Sequence, residues 1–155
     1  MKVAWADVAR ATGELDLGVS DWRMVTQHHI DLFAEATNDR QFIHVDPERA
    51  ARDGPFGATV AHGYLLVGMM PALLNERLEL PAAAAVVNYG LDKLRFAAAV
   101  RAGERIRGKF ALAGKNRMSP TTTLLKIRAV VEIESSPKPA LVADPLIALV
   151  KLVGG

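Results

Sequence analysis

GYLLVGMMPALLNERL, residues 63–78, is apolar on nearly every side as far as Leu74. Read as a helix, the run has no polar face to turn to water, and a helix of that kind must be enclosed by the rest of its domain. It follows the Gly-rich segment GPFGATVAHG, residues 54–63, so its start is expected at about His62 or Gly63. Pro71 is expected to kink or divide it, because the ring clashes with the preceding turn and removes one backbone donor. Beyond residue 81 the pattern becomes largely a two-residue alternation. Arg105, Arg107 and Lys109 alternate with Ile106, Gly108 and Phe110, and Lys126, Arg128 and Glu132 alternate with Leu125, Ile127, Ala129, Val131 and Ile133. These read as antiparallel strands with one wet face. Val86 to Phe96 and Leu141 to Val153 supply further strands, with turns at Lys115 to Pro120 and Ser135 to Pro139. The expected fold class is α+β, an antiparallel sheet of about five strands curled around one central helix.

Upstream of the apolar run the chain reads as mostly helical. A strand is expected at Asp21 to Val25, then a helix capped by Thr26 and running to about Thr37, with Val25 and Ile30 as a hydrophobic staple and Ile30, Phe33 and Ala34 on the buried face. Asp46 followed by Pro47 signals a second, short helix through Ala51, with Gly54 as its stop.

The chain of 155 residues has no obvious linker, which favours a single domain over 1–155. A domain of this size buries roughly two-thirds of the surface its unfolded chain exposes. The absence of Cys excludes disulfides, thiolate metal sites and a cysteine nucleophile. No signal-peptide pattern is visible, and the apolar stretches Tyr64 to Leu74 and Ala140 to Val153 are too short to span a bilayer and contain Pro, so a cytoplasmic, non-membrane protein is expected. A net charge of +2, spread along the chain with few aromatic neighbours, does not suggest nucleic-acid binding.

The chemistry-bearing stretch is ATNDRQFIHVDPERA, residues 36–50. Asp39 falls just after the first helix and His44 in the run FIHV, read as extended, so the loop between them could aim a carboxylate and an imidazole at one water. The bland reading makes Asp39 a turn residue and His44 a half-buried strand residue. Asp46 reads as a helix cap rather than a catalyst. His28 and His29, with Asp31 nearby, lie in the first turns of a helix and complete no recognised ligand spacing, so surface positions and no metal are expected.

The runs DRQFIHVDPERA, GPFGATVAHGYL and VNYGLDKLRF, in that order, resemble the MaoC-like dehydratase family of hot-dog folds, which includes R-specific enoyl-CoA hydratases and nodulation protein N-like proteins. The resemblance extends from about Ser20 to the last strand. The hydratase signature falls on Asp39, His44 and Ala50, while Asn38 stands where Gly is usual and Gln41 with Phe42 where Asn-Pro is usual, as in the nodulation protein N-like branch. The resemblance implies that Asp39 and His44 cooperate on a catalytic water and that the helix start at Gly63 holds the thioester carbonyl. It also implies a homodimer joined through sheet edges, which leaves no unpaired edge strand.

Independently of any family, adding water across an α,β-unsaturated thioester needs a base, an acid and donors for the charge developing on the thioester oxygen. Asp39 and His44 suit the first two tasks in either order, and the free N–H of Gly63 at a helix N-terminus suits the third. Glycine there lets the acyl group approach the backbone. Gln41, His62, Asn88 and Tyr89 are candidate substrate contacts, although His62 reads equally as a locally bonded helix-start residue and Asn88 and Tyr89 as packing residues. Lys93 and Arg95, with Arg105, Arg107 and Lys109, could meet coenzyme A phosphates or form the solvated face of a strand. The expected activity is R-specific enoyl-CoA hydration or the reverse dehydration, on coenzyme A or acyl carrier protein thioesters. No cofactor is expected beyond the coenzyme A of the substrate. The alternatives are acyl-CoA thioesterase and a non-catalytic acyl-thioester binding subunit.

Overall fold

In the computed structural model, which describes residues 1–152, the chain runs through α1 (Trp5–Arg10), β1 (Leu15–Val19), β2 (Arg23–Met24), α2 (Gln27–Thr37), α3 (Phe42–Val45), α4 (Pro47–Asp53), α5 (Gly63–Leu74), β3 (Ala84–Phe96), β4 (Arg105–Arg117), β5 (Thr122–Ile133) and β6 (Leu141–Lys151). The strands form one six-stranded sheet in the order β1-β4-β5-β6-β3, with the short β2 also paired to β4, and every pairing is antiparallel. This is the hot-dog arrangement. The alternation in β4 and β5 does what the sequence implies: Ile106, Phe110, Leu112, Leu125, Ile127, Val131 and Ile133 are buried. On the wet face Arg107 pairs with Glu132 at 2.7 Å and lies over the Trp22 ring.

The apolar run forms α5, which buries Leu66, Met70, Leu73 and Leu74 against the sheet. Each such side chain contributes roughly 1.5–3 kcal/mol when removed from water. Gly108 of β4 lets the layers approach, because a Cβ there would run into the Phe110 ring and come within 3.3 Å of Leu73.

Several expectations need correction. The helix runs unbroken through Pro71 and stops at Leu74, rather than dividing or continuing through Leu78. Nor is α5 enclosed: Tyr64, Gly68 and Ala72 form an exposed stripe, because the sheet of one chain covers only one side of the helix. The strand read at Asp21 to Val25 shrinks to the two residues of β2, while β1 and α1, which no periodicity announced, precede it. The last strand ends at Lys151, and the Val153 at which it was expected to end lies outside the described residues. Most important for the site, FIHV is not extended but is the single helical turn α3. Its polar groups are bonded from outside: Ile43 C=O accepts from Val60 N–H at 2.9 Å, and His44 C=O accepts from Gln27 Nε2 at 2.7 Å. Such tertiary bonds override the strand propensity of a short apolar run.

Candidate active site

The site is assembled at the N-terminus of α5 from the ends of α2 and α3. Thr26 caps α2 as expected, its hydroxyl accepting from the His29 N–H at 3.2 Å while the His29 ring accepts from the Thr26 N–H. Both His28 and His29 are exposed. At the other end of α2, Asn38 adopts φ 60°, ψ 18°. That left-handed conformation favours Gly, and Asn tolerates it better than most residues. With Asn38 in this conformation the chain turns sharply to present Asp39. Asp46 caps α4, its carboxylate accepting from Arg49 N–H at 3.0 Å.

His44 is buried, and its Nδ1 lies 2.6 Å from the Val60 carbonyl oxygen. A carbonyl can only accept, so Nδ1 carries the proton and Nε2 of the neutral ring offers a lone pair to the cavity. The turn is clamped by Gln27, whose amide donates to His44 C=O and to Asp31, and which accepts in turn from the Thr59 hydroxyl. Burial is the main cause holding the His44 pKa below its ordinary 6.5; the hydrogen bond to Val60 works against it, a second imidazole reinforces it and Asp39 opposes it.

That second imidazole is His62, 3 % exposed, stacked on the His44 ring with centroids 3.8 Å apart and planes 23° from parallel. Its Nε2 lies 2.9 Å from the Asp39 carbonyl oxygen and 4.0 Å from the Asp39 carboxylate. The Asp39 side chain itself is 56 % exposed and free to face a ligand. Donor atoms of Asp39, His44 and His62 all come within 4.8 Å of one another, the spacing of a metal triad. Lone pairs lie in ring planes, however, and near-parallel stacked rings direct theirs alongside each other rather than at one ion. The arrangement suits proton exchange with a bound molecule better than chelation.

Gly63 follows directly, and His62 gives the helix no side-chain cap. The N–H groups of Gly63 and Tyr64 precede the first hydrogen bonds of α5, which run from Leu65 and Leu66 to the His62 carbonyl, and negative charge is favoured at this helix end. Gly63 and His44 share a cavity of about 400 Å³ with Ile43, Phe56, Tyr64 and Phe96. The space beside the Gly63 Cα is taken by Phe96, whose ring would lie 2.8 Å from an added Cβ. Glycine here accommodates this ring, which was not foreseen, as well as any acyl group.

The remaining candidates are not gathered at His44 within one chain. Gln41 is exposed at the start of α3, where its C=O accepts from the His44 N–H. Asn88 and Tyr89 line a separate apolar cavity of about 280 Å³ beside Val67, Met70, Pro71 and Leu74 of α5. Lys93 is exposed, 4.0 Å from Asp144, and Arg95 donates to the neighbouring Leu94 C=O. Sequence reading missed Gln27, Thr59 and Val60 as supports for His44, since nothing in spacing signals contacts across such separations.

The profile of the family described as MaoC-like domain matches residues 10–133. The chain is 43% identical over 145 residues to 3-hydroxyacyl-thioester dehydratase Z of Mycobacterium tuberculosis, covering 94% of this chain and 95% of that protein. It is 41% identical over 144 residues to nodulation protein N of Rhizobium leguminosarum bv. viciae, covering 92% and 89%. Among solved structures, the (R)-hydratase of A. caviae superposes with a TM-score of 0.69 over 88% of this chain and 95% of that one, at 17% identity, a likeness of fold.

Proposed function

This chain belongs to the MaoC-like domain family, as a hydratase or dehydratase, and from that premise we propose that it interconverts trans-2-enoyl and (R)-3-hydroxyacyl thioesters through Asp39 and His44. The observation that supports this reading is that donor atoms of Asp39 and His44 lie within 4.8 Å of each other and that His44 shares a cavity with Gly63 at the start of α5. In hydration, a water held between Asp39 and His44 loses one proton as its oxygen bonds to the β-carbon. The proton taken from that water is then delivered to the α-carbon by the pair, so that H and OH of one water add across the double bond, and negative charge on the thioester oxygen is met by the Gly63 N–H. Asp39 and His44 fill the acid and base roles in either order. Dehydration is the same path reversed.

The proposed reaction needs no metal or redox cofactor, a reading supported by the parallel His44 and His62 rings. Lys93 and Arg95 precede Phe96 on β3 and offer cationic donors for the phosphates of a coenzyme A or acyl carrier protein thioester. The same strand supports a homodimer. Among the described residues β3 is paired only with β6, and it exposes Val86, Val87, Tyr89, Leu91 and Phe96 beside the open stripe of α5. A long apolar edge of this kind calls for a partner.

The test is incubation with trans-2-enoyl-CoA thioesters of graded length, followed by chiral analysis. An (R)-3-hydroxyacyl product is expected, with the rate unchanged after dialysis against a chelator. Release of free thiol without hydroxyacyl product would make the chain a thioesterase, and saturable binding without turnover would make it a binding subunit.

A further inference from the structure

His62 stands outside the proton transfers just described, yet it touches every part of the site that performs them. Its ring lies between two others, stacked on His44 at 3.8 Å and tilted against Phe33 at 4.9 Å. The Nε2–H donates to the main-chain carbonyl of Asp39, so the imidazole also tethers the loop that presents the carboxylate. Its own C=O accepts from the N–H groups of Leu65 and Leu66, which makes the His62 backbone the first link of α5 and the immediate neighbour of Gly63. One buried residue is thereby joined to the imidazole, to the carboxylate-bearing loop and to the helix end that faces the thioester oxygen. A core filler would serve as well with an apolar ring. This one keeps a polar ring whose Nδ1 is buried with no hydrogen-bond partner, an arrangement that carries a desolvation cost and contributes nothing to packing.

We propose that His62 is a positioning residue for the hydration step: its ring fixes the plane of His44 while its Nε2–H fixes the Asp39 loop, so that a single side chain sets the relative placement of the two reacting groups. The inference rests on the Asp39 and His44 reading given above. Displacements of about 1 Å between reacting groups are enough to cost on the order of a hundredfold in rate. The ionisable groups around the stacked pair are the Asp39 carboxylate, at 4.0 Å from His62, and Tyr64, which shares the cavity with His44.

Two variants separate the two contacts. His62→Phe keeps a ring against His44 and removes the donor to Asp39; His62→Gln keeps a donor and removes the ring. Each is expected to lower kcat by about tenfold to a hundredfold with KM changed less than about threefold, because the interactions being lost are with the enzyme rather than with the substrate. The deciding readout is a fall in kcat with KM and melting temperature near the parental values, which loss of a merely structural residue would not give; the imidazole NMR titration of the full-length protein, with the His44 signals assigned by their loss in His44→Gln, reports on the stack alongside it. In His62→Phe, His44 is expected to take up its proton at higher pH, since a second imidazole no longer opposes its charge. Parental kcat values in both folded variants overturn the proposal. If the parent protein fails to hydrate any enoyl thioester, it is the proposed reaction that fails, whereas parental turnover in both variants of an active parent overturns the role of His62 alone.

Discussion

At the scale of single residues, two acidic side chains seven positions apart do unlike work. Asp39→Asn keeps size and hydrogen bonding but cannot exchange a proton near neutral pH, so hydration should fall by about a hundredfold to ten-thousandfold while melting stays near the parent. His44→Gln should behave similarly. The double variant should be far less than multiplicatively worse, because groups acting on one water fail together. Asp46→Asn should leave rate and stability almost intact, since Asn caps a helix about as well as Asp. Initial rates and melting curves for the four variants check the assignment. The His44 pKa adds a pH signature. Folded His44 binds its proton at a lower pH than the unfolded chain, whose histidines titrate near 6.5. Within that window the unfolded state holds more protons, so stability rises with pH and is lost as pH drops from about 6.5 toward the folded value. Denaturant midpoints should fall over that interval in the parent and less in His44→Gln. Asp39, His44 and the Asp46 cap were legible in the sequence because spacing and capping chemistry are local. The stacking of His62 on His44 was not, because it joins α3 to the start of α5 across a loop that sequence reads only as Gly-rich.

At the scale of elements, the same division holds. The capped α2, the α4 that begins at Pro47 and the alternating β4 and β5 could be read directly, since each is specified by its own residues. The turn α3 could not: FIHV has strand composition, and its helical turn is held from outside by Gln27 and Val60, which donate to the His44 and Ile43 carbonyls. The start of α5 shows how one element constrains another. An alanine at Gly63 retains the backbone N–H but pushes its Cβ into the Phe96 ring of β3. Gly63→Ala is therefore expected to lower hydration by about tenfold or more, and Phe96→Ala should recover much of that loss in the double variant, as residues in contact couple non-additively. Strictly additive losses in rate would mean that the two residues act separately. Gly63→Pro would confound the two effects, because it removes the donor and introduces the same clash.

For the whole molecule, sequence foretold an antiparallel sheet around an apolar helix but not how much of that helix one sheet can cover. Apolarity records that a surface is covered without saying by what. The exposed stripe of α5 and the unpaired edge of β3, with Val86 47 % and Tyr89 56 % exposed, set the expectation of a dimer in solution. Light scattering at micromolar concentration should give twice the chain mass, and Val87→Lys, which sets like charges near one another in a two-fold pairing of β3 edges, should shift it toward the monomer. A fully active, stable monomer in the parent protein would sink the dimer. None of the described helices is long and apolar enough to cross a membrane.

The ring of Phe96 across Gly63 also decides how this protein could be watched at work. Trp5 and Trp22, the chain's two tryptophans, line neither the cavity of His44 nor that of Tyr89. Ultraviolet emission from the natural chain therefore reports on α1 and on the wet face of β4, and should stay constant when an acyl thioester enters. An indole placed by Phe96→Trp would line the cavity of His44 beside Tyr64, where any molecule reaching the start of α5 must change its surroundings. Its emission should shift on adding a non-hydratable saturated acyl-CoA, with saturation at the same concentration that inhibits hydration. The aromatic side chain packed beside Gly63 is thus also the natural place for an optical probe, from which arrival and departure could be timed apart from chemistry.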